Sequence, residues 1–265
     1  MDPLAPIIDR LHREGRPRVW SLVMTVFGDS VQHRGGRIAT ARLARILGRV
    51  GIESGAMRTA LSRLSHDGWV ESQRSGRTSS YILGIKGRDQ IAPATARIYA
   101  APRQGPVSSW VFETTGTGIP VAGGFVRPGN TASTTAKFAI IGSLSPQHRS
   151  EVTQSLTPEH IRALTRLTED LSDISKMTQL TPLDALAVRT LLIHRWRRLV
   201  LRWPEAPNEI LPQDLSVLCP HQRVADEYTR LSPLAETWLD SSNDDLVAMP
   251  KANIDIDNRF TASPP

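Results

Sequence analysis

The amino-acid sequence predicts a chain of the α+β class, and three observations lead to this prediction. Three helix-period patterns followed by two short strand patterns occupy residues 18–92. A region rich in glycine and proline, with further strand patterns, follows up to residue 145. Helix-period patterns then dominate the rest of the chain. Apolar residues make up 40% and charged residues 22% of the sequence, a composition typical of a folded globular protein.

The charge is unevenly distributed along the chain. Residues 1–100 contain 16 Lys and Arg against 8 Asp and Glu, whereas residues 101–265 contain 16 against 18. Such asymmetry favours a module that binds a polyanion, joined to a part that does not. The alternative is an arginine-rich surface that contacts only water.

Cysteine content and hydropathy exclude several classes of protein. Cys219 is the only cysteine, so we expect neither an intramolecular disulfide nor a zinc site built from several cysteines. No apolar run approaches the roughly 18 residues needed to cross a bilayer. The first residues also lack the apolar core of a secretory signal. We therefore expect a cytoplasmic protein without a membrane partner.

Helical periodicity predicts the first elements. Residues 1–17 are polar and contain three prolines, which predicts a mobile N-terminal arm. Apolar residues then recur at the spacing of a helix face, and Thr40 and Ser54 are of the types that cap the two helices that follow. The three predicted stripes are Val19, Leu22, Val23, Val26 and Phe27; Leu43, Ile46, Leu47 and Val50; and Met57, Ala60, Leu61 and Leu64.

Two strand patterns complete the N-terminal region. Residues 69–71 and 79–83 have strand character and flank a tight turn at residues 75–77. Three helices followed by a hairpin is the order of a winged helix-turn-helix, so residues 18–92 are predicted to form one. In such a domain the third helix enters the major groove of DNA, and the hairpin, or wing, lies beside the backbone.

The exposed face of the third predicted helix suits contact with DNA. Arginine side chains reach base edges and phosphates, and small hydroxyl side chains keep the backbone close to the duplex. The alternative is a small helical domain with solvated arginines. RNA is less favoured, because aromatic residues, on which its bases stack, make up only 5% of the chain. The predicted DNA-contacting residues are Arg42 and Arg45 on the second helix, Ser54, Arg58, Thr59, Ser62 and Arg63 on the third, and Arg74 and Arg77 on the wing.

Specific strings in the sequence resemble the PaaX-type repressors, which control phenylacetate degradation in bacteria. The N-terminal strings are RPRVWSLVMTVFGDSV, RGGRI and LARILGRVGIESGAMRTALSRLSHDGWVESQRSGRTSSYIL. The C-terminal strings are LAVRTLLIHRWRRLVLRW and YTRLSPLAETWLD. Residues 215–223 (LSVLCPHQR) depart from the Trp-Pro-Gly that family members usually carry there, and residues 105–145 match less well.

The resemblance implies a repressor of three parts. After the winged helix and a proline-containing linker at residues 93–106, it implies a small central ferredoxin-like α/β domain at 107–180. A helical C-terminal domain at 181–240 follows. It also implies a homodimer on a palindromic double-stranded DNA operator, released by an aryl-acyl-CoA such as phenylacetyl-CoA. Residues 241–265 are polar and are expected to be disordered.

One face of the helix predicted near residues 183–202 is a candidate ligand site. It carries Arg195, Arg198 and Arg202, and guanidinium groups pair well with the phosphates of an acyl-CoA. The favoured alternative is a solvated or ion-paired face, with the acidic partners lying in residues 205–209.

No other segment carries a strong signal for ligand binding or catalysis. The glycine-rich residues 116–124 lack the spacing of the common phosphate-binding loops, so a turn is favoured there. No nucleophile with its base and no histidine pair at metal spacing is recognisable, so we predict no catalytic residue, metal or cofactor. Two alternatives to a repressor remain: an enzyme acting on nucleic acid or a CoA ester with a winged-helix anchor, and an architectural DNA-binding protein.

Overall fold

The structure, a computed structural model, describes residues 2–13, 18–76, 78–242, 246–253, 256 and 258–261 of the 265-residue chain. Helices and two small antiparallel sheets form the described part, which is compatible with the α+β prediction. The chain divides into two compact units. The first comprises Met1–Ala101, Asp170–Trp196 and Val224–Pro265, and the second comprises Pro102–Glu169 and Arg197–Arg223.

The N-terminal part of the chain supplies most of the first unit. The second helix continues into a π-helical turn at Phe27–Val31 and a 3-10 turn at Gln32–Arg34. The helices are α1 (Ala5–Arg13), α2 (Val19–Val26), α3 (Thr40–Arg49), α4 (Ser54–His66) and α5 (Ile85–Ile98), and the strands are β1 (Arg37–Ala39), β2 (Val70–Ser75) and β3 (Thr78–Leu83).

The predicted apolar stripes of the three helices are confirmed as core except at Val19, which is only partly buried. α2 packs against both α3 and α4, and the inward side chains of all three helices are less than a tenth exposed. Each large aliphatic side chain buried in this way contributes about 1.5–3 kcal/mol to folding. The buried stripe residues are Leu22, Val23, Val26, Phe27, Leu43, Ile46, Leu47, Val50, Met57, Ala60, Leu61 and Leu64.

The predicted capping roles of Thr40 and Ser54 are wrong. Both residues open a helix as its first residue, and the positions before them, Ala39 and Glu53, make no side-chain cap hydrogen bond. The Thr40 hydroxyl instead donates to the carbonyl oxygen of Ser79 at 3.0 Å. It therefore ties α3 to β3, a long-range contact that a local capping rule does not foresee.

The predicted hairpin is confirmed and gains a third strand. β2 and β3 pair from Val70↔Leu83 to Ser75↔Thr78, and β1 pairs with the other edge of β3, giving the order β1-β3-β2. α5 begins at Ile85, so that Gly84 alone separates it from β3. A Cβ atom on Gly84 would lie 2.4 Å from the carbonyl oxygen of Gly68, so the close approach requires glycine.

Two segments predicted to lack regular structure are helical. Part of the supposed N-terminal arm forms α1, which buries Ile7 and Leu11 beside Leu4, at the i, i+3, i+7 spacing of a helix face. Residues 93–98 of the predicted linker are the last residues of α5, with Pro93 inside the helix. The prediction of irregular structure in both segments rests on their prolines.

The C-terminal tail, predicted to be disordered, packs into the first unit where the structure describes it. Leu246, Met249, Arg259 and Phe260 are each no more than 8% exposed. Their burial is decided by contacts with distant helices, which the polar local composition does not reveal.

The second unit contains a four-stranded antiparallel sheet and several helical segments. The strands have the order β5-β6-β4-β7, and β4 lies between β6 and β7. The strands are β4 (Trp110–Glu113), β5 (Ile119–Val121), β6 (Gly124–Pro128) and β7 (Ala139–Gly142), and the helices after them are α6 (Pro146–Gln154), α7 (Pro158–Ser175), α8 (Pro182–Arg202), α9 (Gln213–Ser216) and α10 (Pro220–Asp240). α7, α8 and α10 each contribute residues to both units.

The ferredoxin-like expectation for the central region is not confirmed. Such a fold places a helix after its first strand and another after its third. Here residues 114–118 and 129–138 connect the corresponding strands without a helix. Gly116 and Gly129 have φ angles of 135° and 148°, which a helix does not allow.

The predicted C-terminal helices are present. α8 covers the predicted helix near residues 183–202, and α10 covers the string at residues 228–240. None of the described helices is both long enough and apolar enough to span a lipid bilayer.

Candidate nucleic-acid interface

One face of α4 is exposed and carries the predicted recognition residues. The opposite face is buried against the core described above, so the 3.6-residue period of the helix fixes which side chains point outward. Within the described residues, neither Arg58 nor Arg63 forms an ion pair or a side-chain hydrogen bond. The exposed set is Ser54, Arg58, Thr59, Ser62 and Arg63.

The hairpin formed by β2 and β3 extends the exposed basic surface. Arg74 is exposed on β2, opposite Ser79. Gly76 has a φ of 58° in the connecting turn, the left-handed region that glycine adopts readily. Arg77, the other predicted wing residue, lies outside the described residues.

A further arginine that the sequence interpretation did not select lies on β1. Arg37 is exposed, whereas its neighbour Ile38 is buried, as the alternation of a strand requires. β1 pairs with β3, so Arg37 belongs to the same sheet as the wing. The three-residue strand is too short to give a periodic signal, and only the basic string RGGRI pointed to it.

Arg42 is not a DNA contact, and this part of the prediction is wrong. Its side chain is 1% exposed and lies over the ring of Trp238 at 4.6 Å. Its guanidinium donates to the carbonyl oxygens of Trp238 at 2.9 Å, Ser241 at 2.8 Å and Val247 at 2.9 Å. Burial lowers the pKa of Arg42. Arg45, on the same helix, is exposed.

A buried carboxylate anchors the turn that follows α2. Asp29 is 1% exposed and accepts hydrogen bonds from Tyr99 Oη at 2.8 Å and from Arg189 Nε at 3.0 Å. Arg259 Nη1 lies 3.1 Å from Asp29 Oδ1, the carboxylate oxygen that Tyr99 also bonds. Burial opposes ionisation of Asp29, but the guanidiniums of Arg189 and Arg259 outweigh it, so the pKa of Asp29 is lowered.

A second buried cluster holds the segment just before β1. Arg34 is 1% exposed and pairs with Glu236 and, at 2.7 Å, with Asp240. Glu236 also pairs with Arg189 at 2.7 Å. Burial opposes ionisation, but the guanidiniums of Arg189 and Arg34 outweigh it, so the pKa of Glu236 lies well below its ordinary value.

The two clusters explain the FGD and RGG strings in structural terms. Asp29 and Arg34 do not face solvent; they join the N-terminal helices to α8 and α10 within the first unit. Buried charges require such pairing, because an unpaired ion in a protein interior costs several kcal/mol. These residues position the α4 face and do not belong to it.

The three arginines of the candidate ligand site lie in different environments. Arg195 pairs with Asp170, which Arg10 also contacts. Arg202 is exposed and lies over the ring of Trp203 at 4.6 Å, and Arg198 is exposed on the same helix. Arg195 belongs to the first unit, whereas the other two belong to the second.

Arg195 is ion-paired, as the alternative for this helix predicts, but its partner is Asp170 and does not lie in residues 205–209. Glu205 lies 3.2 Å from Arg103, and Glu209 accepts a hydrogen bond from the backbone of Val107 at 2.5 Å. The contact between Arg195 and Asp170 joins α8 to α7, a tertiary pairing without a sequence signal.

The described part of the chain shows no evident site for metal binding or for thiol chemistry. No group of three or more His, Cys, Asp or Glu side chains there is placed to hold a metal ion. Cys219 is a free thiol with intermediate exposure.

Comparisons with known proteins match both ends of the chain to one family. Residues 18–87 match the family described as PaaX-like protein, and residues 154–241 match the PaaX-like protein C-terminal domain. The chain is also 28% identical over 255 residues to the transcriptional repressor PaaX of Escherichia coli (strain K12), with 81% of each chain covered. The first match contains α2, α3, α4 and the hairpin, and the second contains all of α7, α8 and α10. This chain belongs to the PaaX family.

Proposed function

We propose that this protein is a transcriptional repressor that binds double-stranded DNA through a winged helix-turn-helix within residues 18–92. In this proposal α3 and α4 are the helix-turn-helix and β2 and β3 form the wing. The similarity to a relative named as a transcriptional repressor supports the repressor role. The described elements have the order that such a domain needs, with α4 placed before the hairpin.

The exposed face of α4 is the observation that carries the proposal. Arg58 and Arg63 are long cations on a face that also carries the small hydroxyl residues Ser54, Thr59 and Ser62. An α-helix fits the major groove. We assign base contacts to these two arginines. Arg45, Arg74 and Arg77 are assigned to phosphates, and Arg37 is added to this group because it is exposed on the same sheet as the wing.

Homodimerisation on a palindromic operator is the second part of the proposal. Two-fold symmetric DNA is matched by a two-fold symmetric protein. The sheet of the second unit offers one surface for this contact, because β7 is an edge strand and Ile140 and Ile141 are 55% and 47% exposed. Antiparallel pairing of two such edges is itself two-fold symmetric.

Release by an aryl-acyl-CoA, such as phenylacetyl-CoA, is the third part. It follows from the family resemblance, and Arg195, Arg198 and Arg202 remain the proposed phosphate contacts. The ion pair between Arg195 and Asp170 argues against Arg195 as a free phosphate ligand, whereas Arg198 and Arg202 are exposed. The function requires access to chromosomal DNA, so a cytoplasmic location is part of the same proposal.

Substitution of the two α4 arginines tests the DNA-binding face. The probe is a duplex that the wild-type chain selects from random sequences. Arg58→Ala and Arg63→Ala should each weaken binding by about 1–3 kcal/mol, since each removes a proposed base contact. Fluorescence anisotropy measures the affinity. The matched control is Arg162→Ala, which removes an exposed arginine that pairs with Glu159, three residues away on α7.

The outcome also separates the repressor from its alternatives. Equal loss in the control variant, or unchanged binding by both α4 variants, contradicts the assigned face. Equal affinity of the wild-type chain for selected and random duplexes contradicts a sequence-specific repressor and favours an architectural protein.

A further inference from the structure

The described part of the C-terminal tail makes backbone and side-chain contacts with the segment between α2 and β1. Asn253 N donates to the carbonyl oxygen of His33 at 2.8 Å, and Arg34 Nη1 donates to that of Pro250 at 2.8 Å. This tail lies after residue 241, so it is outside both segments that match the family. Its contacts fall on the FGD and RGG strings that join α2 to β1.

Arg259 makes the most extensive of these contacts. Its Nη1 atom donates to Tyr228 Oη at 2.5 Å and to the carbonyl oxygen of Asp29 at 2.7 Å, and lies 3.1 Å from the Asp29 carboxylate. Its Nη2 atom donates to the carbonyl oxygen of Gly28 at 3.1 Å. The guanidinium also lies over the ring of Tyr99 at 4.1 Å.

Aromatic rings enclose this guanidinium. Phe260 packs edge-on against Tyr99 at 5.4 Å and lies 5.3 Å from Tyr228, and the two tyrosine rings are 5.6 Å apart. Phe260 N also donates to the carbonyl oxygen of Tyr99 at 2.9 Å. Phe260 has a φ of 59°, a rare backbone conformation for a large residue, so the enclosing contacts must offset its cost.

The tail therefore joins the turn after α2 to α10, two structures that are far apart in sequence. Arg259 bonds the turn after α2 through Gly28 and Asp29, and it bonds α10 through Tyr228. Nearer its start, Met249 N donates to the carbonyl oxygen of Leu239, at the end of α10. The contacted turn leads directly into β1 and α3, so its position affects the orientation of α4.

The described part of the tail does not cover the α4 face. Arg58, Thr59 and Arg63 are exposed while Arg259 is buried in its site. An inhibitory tail would shield these residues, so the arrangement fits a tail that holds the DNA-binding elements in a usable position.

We propose that the described tail residues, 246–253, 256 and 258–261, form a strap and that Arg259 is a positioning residue for DNA binding. By inserting its guanidinium between Asp29, Tyr99 and Tyr228, Arg259 holds the turn after α2 on α10 and so orients α4. Operator affinity then depends on a side chain that does not touch DNA. This inference rests on the proposed function, because affinity for DNA is one of its readouts.

Chemical rescue of Arg259→Ala tests the strap in the full-length chain. At about 10 °C, with folding checked by circular dichroism, this variant should bind the selected duplex on the order of tenfold more weakly than the wild type. Millimolar ethylguanidinium chloride should restore most of the affinity by filling the vacated site. Ethylammonium chloride at the same concentration controls for ionic strength, because its cation lacks the planar fork.

Two further variants sharpen the test. Arg259→Lys should show an intermediate affinity, since a lysine supplies the charge but not the bidentate geometry. Lys251→Ala removes an exposed cation from the same tail and should bind DNA as the wild type does. A loss that ethylguanidinium does not reverse, or a full loss in Lys251→Ala, overturns the positioning role.

Hydrogen exchange gives a readout that does not depend on DNA. Arg259→Ala should exchange faster than the wild type at residues 28–39, while the sheet of β4 to β7 is unchanged. Unaltered exchange at residues 28–39 overturns the strap. Failure of the wild-type chain to prefer any duplex contradicts the proposed function instead, and the exchange result then decides the strap alone.

Discussion

At the scale of single residues, arginine has two opposite roles in this chain. Arg58 and Arg63 are exposed on α4, whereas Arg34, Arg42 and Arg189 are among the most deeply buried side chains. A buried guanidinium needs acceptors for its donors and compensation for its charge. Arg34 and Arg189 pair with carboxylates, whereas Arg42 donates to backbone carbonyl oxygens and its Nε has no partner among the described residues. Residue type alone therefore did not separate DNA contacts from structural contacts.

Helix geometry explains the contrast between Arg42 and Arg45. With about 100° between successive residues, Arg42 lies about 90° from the centre of the apolar stripe of α3 and Arg45 about 150° from it. A long side chain at the border of a stripe can turn inward when acceptors are available there. The carbonyl oxygens of Trp238 and Ser241, at the end of α10, are such acceptors.

Alanine substitution should separate these two roles. Arg42→Ala leaves buried carbonyl groups without donors, so we expect a loss of about 2–4 kcal/mol in the free energy of unfolding. Arg45→Ala should change that free energy by less than about 0.5 kcal/mol. It should instead reduce the slope of log affinity against log salt by about 1, since one phosphate contact is lost.

Urea unfolding and binding titrations at several salt concentrations measure the two effects. A stable Arg42→Ala chain with a reduced salt slope would contradict the structural assignment of Arg42.

At the scale of elements, regular periodicity was reliable and local composition was not. The stripes of α2, α3 and α4 recur over two or more turns and proved to be core. Prolines in and near α1 and the end of α5 favour irregular structure, but both segments are helical. β1 is three residues long, which is shorter than the window over which a period can be detected.

The junction between the wing and α5 depends on glycine. A Cβ atom at Gly84 would meet backbone atoms of Gly68 at 2.4 Å and 3.0 Å, and backbone cannot move aside as a flexible side chain can. Gly84→Ala should therefore lower the free energy of unfolding by about 1–3 kcal/mol. A Cβ atom at Gly48, inside α3, meets nothing within 4 Å.

Gly48→Ala is the matched control for this prediction. In an exposed helix interior, alanine is favoured over glycine by about 0.5–1 kcal/mol, so this variant should be more stable than the wild type. Thermal unfolding of both variants measures the difference. Equal effects of the two substitutions would contradict the close approach at Gly84.

At the scale of the whole molecule, buried ion pairs join segments that are distant in sequence. Asp29 is bonded to Arg189 and Arg259, and Glu236 to Arg34 and Arg189. All these residues belong to the first unit, which contains segments from both ends of the chain and from its middle. The division into units therefore does not follow the order of the chain.

These carboxylates predict a loss of stability in acid. The pKa values of Asp29 and Glu236 are lowered in the folded chain. Such groups stabilise the fold fully above their unfolded pKa, near 4, and the contribution is lost as pH falls through the folded pKa. Asp170 acts in the opposite sense, because burial outweighs its arginine partners and raises its pKa.

The urea midpoint should therefore fall as the pH is lowered from about 5 to about 3. Asp29→Asn should be less stable at pH 7, since Arg189 and Arg259 lose a charged partner, and should vary less with pH. Asp214→Asn, at an exposed position, should follow the wild-type profile. A wild-type midpoint that is constant over this range would contradict the network.

The sequence alone determined the family, the α+β class, the core stripes of α2 to α4 and the exposed face of α4. Each of these depends on residues close together in the chain, whose spacing is set by the period of a helix or strand. Only the tertiary structure decided that Arg42 is buried, that α1 and the tail pack into the first unit, and that Asp29 holds Arg189 and Arg259. Those contacts join residues up to 230 positions apart, and a buried pair stabilises only when both partners are brought together by the fold.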